Sequence, residues 1–149
     1  GRLVLADAVA YARSIGQTRL VDVATLTGAI SVALGNVCTG VFGNDQTLID
    51  RVIESGESTG ERFWQMPMFE EYKKGYRSDI ADVKNTGGRG AGSITGAQFI
   101  GEFAEGAAWA HLDIAATSRS TKDEGYNPKG ATGVPVRTLV MLAEDLARR

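Results

Sequence analysis

The stretch Arg19-Leu20-Val21-Asp22-Val23-Ala24-Thr25-Leu26-Thr27-Gly28-Ala29 decides the fold class. Its first six residues read as a short buried strand, the Thr-Leu-Thr-Gly segment breaks it, and an apolar helix follows from Gly28 to Leu34. Strand, loop and helix in that order form the repeating unit of α/β domains, which place ligands in a crevice at the carboxyl ends of their strands. Thr25, Leu26, Thr27 and Gly28 are therefore candidate ligand-facing residues, with backbone groups and hydroxyls on offer. A Thr-capped helix start with Gly for tight packing is the competing account of the same four residues.

The flanking sequence repeats the alternation. Upstream, Leu3 to Ile15 sets Leu3, Leu5 or Ala6, Val9, Ala10 and Ala12 on one face, and Gly16 follows as a stop, so this is an amphipathic helix. No Ser, Thr, Asp or Asn caps its start; only Gly1 and Arg2 precede it, as expected of a chain cut from a longer polypeptide. Downstream, Val37–Phe42 is a second apolar run closed by the turn Gly43-Asn44-Asp45. Thr47–Glu54 has helical spacing and is expected to end near Gly56. Phe63–Met68, with Pro67, reads as loop, and Phe69–Tyr76 as a short helix. Ser78–Gly92 is polar and Gly-rich, too long for a simple connection. Ser93–Glu105 reads as a helix, Ala108–Ala115 as a strand, and Val134–Arg148 as a final helix with Pro135 in its first turn. An α/β sandwich follows.

Composition bounds the function. With 149 residues, 43% hydrophobic and 23% charged, the chain is an ordinary globular protein, one domain or part of one. Its 16 basic residues against 18 acidic ones, net −2, make nucleic acid an unexpected partner. The single Cys38 cannot form an internal disulfide, and neither a signal peptide nor an 18-residue apolar run is present, which fits a cytoplasmic setting and no membrane. One histidine, His111, excludes a site built from several His ligands.

Other motifs are weaker. Gly87–Gly92 matches neither nucleotide-binding glycine pattern, and no strand leads into it. Gly130-Ala131-Thr132-Gly133 is most simply a helix entry. No G-x-S-x-G elbow occurs, and Cys38 in an apolar run reads as a structural thiol. His111 and Asp113 share one face of a strand, which invites an acid/base pair but is more often a buried histidine satisfied by a neighbour. Asp79 and Asp82 suit a metal site or solvated turns.

Six blocks carry a more specific signal: GRLVLADAVAYA (1–12), DVATLTGAISVALG (22–35), GVFGND (40–45), YRSDIADVKNTGGRGAGSITGAQFI (76–100), WAHLDIAAT (109–117) and GATGVPVRTL (130–139). In this order they resemble the catalytic half of the leucyl aminopeptidase (cytosol aminopeptidase) family. The resemblance implies a three-layer α/β/α sandwich with a mixed sheet, residues 1–149 forming the C-terminal portion of the catalytic domain. It also implies a cytoplasmic homo-hexamer that releases N-terminal, leucine-like residues from peptide substrates with two divalent metal ions, Mn²⁺ or Zn²⁺.

The family signature Asn-Thr-Asp-Ala-Glu-Gly-Arg-Leu would end at Gly1-Arg2-Leu3, which places the metal-binding Asp and Glu, and the catalytic lysine, before Gly1. The resemblance thus assigns no metal ligand within 1–149, no tightly bound metal, and no activity to this chain alone. It makes Arg2 the catalytic residue carried over, holding a bicarbonate ion. It makes Thr25, Leu26, Thr27 and Gly28 the substrate-binding loop, and Asp113–Thr117 the loop closing the first side-chain pocket, with Ala116 standing where Gly is expected. Residues 76–92 fall to the rim of the site or to subunit contacts. The alternative function is a DNA-binding or oligomerisation module without catalysis.

Overall fold

A computed structural model describes residues 1–148. Its elements are α1 (Arg2–Ser14), β1 (Arg19–Ala24), α2 (Gly28–Leu34), β2 (Thr39–Gly43), α3 (Gln46–Thr59), β3 (Phe63–Gln65), a 3-10 helix (Glu70–Tyr76), α4 (Gly92–Gly101), β4 (Ala108–Asp113), the two-residue strands β5 (Arg119–Ser120) and β6 (Gly130–Ala131), and α5 (Val136–Ala147).

Strand β4 divides the domain into layers. Side chains alternate along a strand, and here Trp109 packs with Ala6 and Val9 of α1, Ile30 of α2 and Ile94, Ala97, Phe99 and Ile100 of α4. Ala110 and Leu112 pack instead with Leu48, Ile49 and Val52 of α3 and Leu142 of α5. The sheet between them has the order β1-β4-β2-β3. β1 runs parallel to β4, β4 antiparallel to β2, and β2 parallel to β3, so the sheet is mixed and the architecture is the expected three-layer α/β/α sandwich. β1 lies at one edge, with Leu20, Val21 and Val23 only half-buried. Among the described residues no helix is long and apolar enough to cross a membrane.

Four boundaries differ from the sequence expectation. Helix α3, capped by Asp45 accepting from Leu48 N–H at 2.7 Å, runs through Gly56 to Thr59 and stops at Gly60, whose φ of +75° ends it. Gly56 is a packing residue rather than a terminator: a Cβ there would lie 2.2 Å from the Phe63 ring and 2.7 Å from the Glu61 carbonyl oxygen. Phe63–Gln65, expected as loop, pairs with β2 through Thr39, Gly40 and Val41, and Pro67 falls after the last paired residue, where its missing N–H costs nothing. Helix α4 ends at Gly101 and passes into a 3-10 turn, Glu102–Ala104. Pro135 precedes α5 at its N-cap rather than lying in its first turn.

The packing at Gly56 gives a direct test. Gly56→Ala should lower stability by about 1–3 kcal/mol by overpacking. Gly90→Ala, where a Cβ meets nothing within 4 Å, should change it by less than about 0.5 kcal/mol. Urea unfolding of the two variants measures both.

Candidate active site

The loop after β1 owes its shape to a carboxylate on the neighbouring strand. Asp113, the last residue of β4, is 1% exposed and pairs in register with Ala24, the last residue of β1. Its Oδ1 accepts from the backbone N–H of Leu26 (3.1 Å), Thr27 (3.4 Å) and Ala115 (3.2 Å), and its Oδ2 from the Thr27 hydroxyl (2.6 Å). Amides bonded to a carboxylate form charge-assisted hydrogen bonds, stronger than neutral ones. The Thr27 hydroxyl also accepts from Ile30 N–H at 3.2 Å, capping α2. Carboxylate, loop and helix start are thus one connected unit.

The capping account of the Thr-Leu-Thr-Gly segment holds for Thr27 but not for Gly28 as a packing residue, since a Cβ there would meet nothing within 4 Å. Thr27 is buried, with its hydroxyl occupied on both sides, so its side chain serves the loop's structure. Thr25 and Gly28 are exposed and Leu26 half-buried.

Arg2 lies at the same loop. An ideal Cβ on Gly96, in the middle of α4, would lie 3.0 Å from Thr27 Cγ2, 3.3 Å from Arg2 Nη2 and 3.4 Å from Leu26 Cδ2. Gly96 is therefore where helix α4, the loop and the guanidinium meet, and a side chain there would press on all three. Arg2 Nη1 donates to the backbone carbonyl of Asn85, so the Gly-rich segment 78–92 touches this corner as well.

Elsewhere the candidates separate. His111 and Asp113 do not form a pair with each other. His111, fully buried, sets Nδ1 2.6 Å from Asp22 Oδ1 on β1, and Asp22 Oδ2 accepts from Trp109 Nε1 at 2.7 Å. This is the histidine satisfied by a neighbour, and it ties β1 to β4. Its Nε2 has no hydrogen-bond partner among the described residues. Cys38 is half-buried; burial pushes its thiol pKa up, and the nearby Arg62 opposes that. Asp79 and Asp82 do not join a metal cluster: among the described residues no three His, Cys, Asp or Glu side chains converge on one point. Sequence reasoning missed the Asp113 clamp because its partners lie 86 and 87 residues away. The signal available was a lone carboxylate closing an apolar strand.

A mixed sheet between two helical layers, with a loop shaped by a buried carboxylate at the carboxyl ends of parallel strands, defines the class of the fold as α/β. The chain belongs to the cytosol aminopeptidase family: the family's catalytic-domain model matches residues 1–140. It is 52% identical over 148 residues to a probable cytosol aminopeptidase of Alkaliphilus metalliredigens, covering 99% of this chain and 30% of that protein. It is 52% identical over 145 residues to one of Solibacter usitatus, again 30% of its length. Among solved structures, a mutant of tomato leucine aminopeptidase superposes with a TM-score of 0.88 at 44% identity, over 95% of this chain and 27% of that one. The bottromycin maturation enzyme BotP superposes with 0.96 at 37% identity, over 100% and 34%. The chain spans about a third of the length of these relatives.

Removing the clamp should be costly. Asp113→Ala leaves the Thr27 hydroxyl and the loop amides without their acceptor, and the expected loss is about 3 kcal/mol or more. Asp113→Asn, which keeps an acceptor oxygen, should lose less. Denaturant unfolding of the two variants gives the comparison.

Proposed function

We propose that this chain supplies part of the active site of a metal-dependent aminopeptidase that releases leucine-like residues from the amino ends of peptides. Membership of the family supports the reaction class. The observation that carries the local reading is the meeting of Arg2, Leu26 and Thr27 at Gly96, at the end of β1. The relatives' names as cytosol aminopeptidases support a cytoplasmic setting. Assembly as a homo-hexamer belongs to the same reading.

The residues present do not fit a metal pair. A two-metal site needs several carboxylate or similar ligands around ions roughly 3.5–4 Å apart, and no such convergence exists among the described residues. In this reading the metal ligands come from residues outside 1–149, and Mn²⁺ or Zn²⁺ bound by them would activate water for hydrolysis.

What this chain contributes is binding and charge. The Thr25–Gly28 loop, held by Asp113, offers backbone groups to a peptide, and the rigidity of the clamp keeps them in place before substrate arrives. Arg2 spends Nη1 on the Asn85 carbonyl, and the remainder of its planar fork suits a bicarbonate ion or the oxygen of a reacting carbonyl. A cation at that position stabilises negative charge developing in the transition state.

The 149-residue chain alone should neither bind Mn²⁺ or Zn²⁺ tightly nor hydrolyse leucine amide. A longer chain carrying the family's metal-binding segment should do both, and in it Arg2→Ala should lower kcat far more than metal affinity. Calorimetry with each metal and a leucine amide assay on both chains are the measurements. Two strong metal sites or metal-dependent turnover in the short chain would contradict the assignment.

A further inference from the structure

The segment that joins the 3-10 helix to α4 leaves at Tyr76 and returns at Gly87, and its base is fastened to α4 and to the turn that ends α4. At the start of the 3-10 helix, Gln98 Nε2 donates to the Phe69 carbonyl at 2.9 Å. At its end the buried Tyr76 donates its hydroxyl to Glu102 Oε1 at 2.7 Å. The returning chain is tied to the same point: Lys84 N–H donates to the Tyr76 carbonyl at 2.6 Å, and Val83 packs against the core shared by α1, α2 and α4.

Two glycines close the base. An ideal Cβ on Gly87 would lie 3.0 Å from the Gly75 carbonyl oxygen, 3.2 Å from the Gly75 carbonyl carbon and 3.2 Å from Thr95 Cβ. One on Gly75 would lie 3.2 Å from Thr95 Cγ2 and 3.5 Å from the Gly87 carbonyl oxygen. Two backbones thus meet over Thr95 of α4. Backbone yields less readily than the end of a flexible side chain, so a Cβ at position 87 must displace the chain that carries it.

Asn85 lies between these fixed points, one residue after Lys84 and two before Gly87. Its carbonyl accepts from Arg2 Nη1, the one hydrogen bond that this guanidinium makes among the described residues. The other end of the guanidinium, Nη2, is left beside Gly96, where Thr27 and Leu26 also meet. An arginine side chain otherwise samples many rotamers, and a single fixed acceptor removes much of that freedom. The chemistry of the acceptor matters as well. A carboxylate would orient Arg2 but cancel its charge, whereas a carbonyl orients it and leaves the cation whole; Arg2 forms no ion pair among the described residues.

We propose that Asn85, through its backbone carbonyl, is a positioning residue for Arg2, and that the Gly75–Gly87 closure sets where that carbonyl stands. The inference rests on the reading above in which Arg2 acts on the reacting carbonyl.

The test uses Gly87→Ala, with Gly90→Ala as the control in the same segment, since a Cβ there meets nothing within 4 Å. In a longer chain carrying the metal-binding segment, Gly87→Ala should lower kcat about tenfold or more, the scale of a small misplacement of a reacting group, with KM changed by less than about twofold. Gly90→Ala should leave kcat within about twofold. In an Arg2→Ala background, Gly87→Ala should change kcat by less than about twofold, because a group that acts through Arg2 has nothing left to position. A second readout needs no turnover. In the 149-residue chain the Nη1 and Nη2 hydrogens of Arg2 should give separate NMR resonances, as a held guanidinium does, and Gly87→Ala should average them. Lys84→Pro removes the N–H that ties the segment to Tyr76, at an exposed position; it should act in the same direction and decides the matter if Gly87→Ala lowers the unfolding midpoint. Averaged Arg2 resonances in the parent chain, an equal loss of kcat from Gly87→Ala with and without Arg2, or unchanged kcat and resonances in the folded variants would overturn the proposal. A longer chain that fails to hydrolyse leucine amide would sink the peptidase reading instead, and the resonances would still decide whether Asn85 holds Arg2.

Discussion

Four donors from two loops converge on the carboxylate of Asp113, and the candidate site depends on that convergence. A strand end would otherwise leave its last amides to water. Here the amides of Leu26 and Thr27 turn to a buried anion, and the Thr27 hydroxyl passes the chain of hydrogen bonds on to the first turn of α2. Such a network is strong when complete and expensive when broken, because each orphaned donor carries its own desolvation cost. The loop is consequently as well determined as the sheet from which it springs.

The rest of the sheet serves this arrangement. β4 stands between β1 and β2 and packs helices on both faces. Its Trp109 and His111 both reach Asp22 on β1, so the edge strand that leads into the loop is fastened by side chains as well as by its backbone ladder. Helix α4 approaches the loop closely because Gly96 has no side chain, and that approach brings Arg2 of α1 next to Leu26 and Thr27. The same strand order sets the amino ends of β2 and β3 at the end of the sheet that carries the clamped loop.

The elements legible in the sequence were those with strong local contrast. Arg19–Ala24 and Gly28–Leu34 have the expected bounds because an apolar run stops abruptly at a Thr-Gly segment. β3 was hidden by its three-residue length and by Pro67 nearby, and Gly56 misled because a packing glycine and a terminating glycine look alike until the Phe63 ring is in place. The clamp was not legible: Asp113 reads as a companion of His111 two residues away, and only the parallel pairing of β1 with β4 delivers it to Leu26 and Thr27. Arg2 came instead from ordered sequence blocks shared with a family, which carry information that periodicity lacks; the Thr25–Gly28 loop was marked by both the strand-loop-helix pattern and those blocks.

Native-state hydrogen exchange at the amides of Leu26 and Thr27 tests the central claim most directly. If Asp113 holds the loop, both amides should exchange about as slowly as those of β4, since they open only when the clamp and the sheet open together. Exchange as fast as that of the irregular 78–92 segment would show that the loop is free of the carboxylate and that the site has no such foundation.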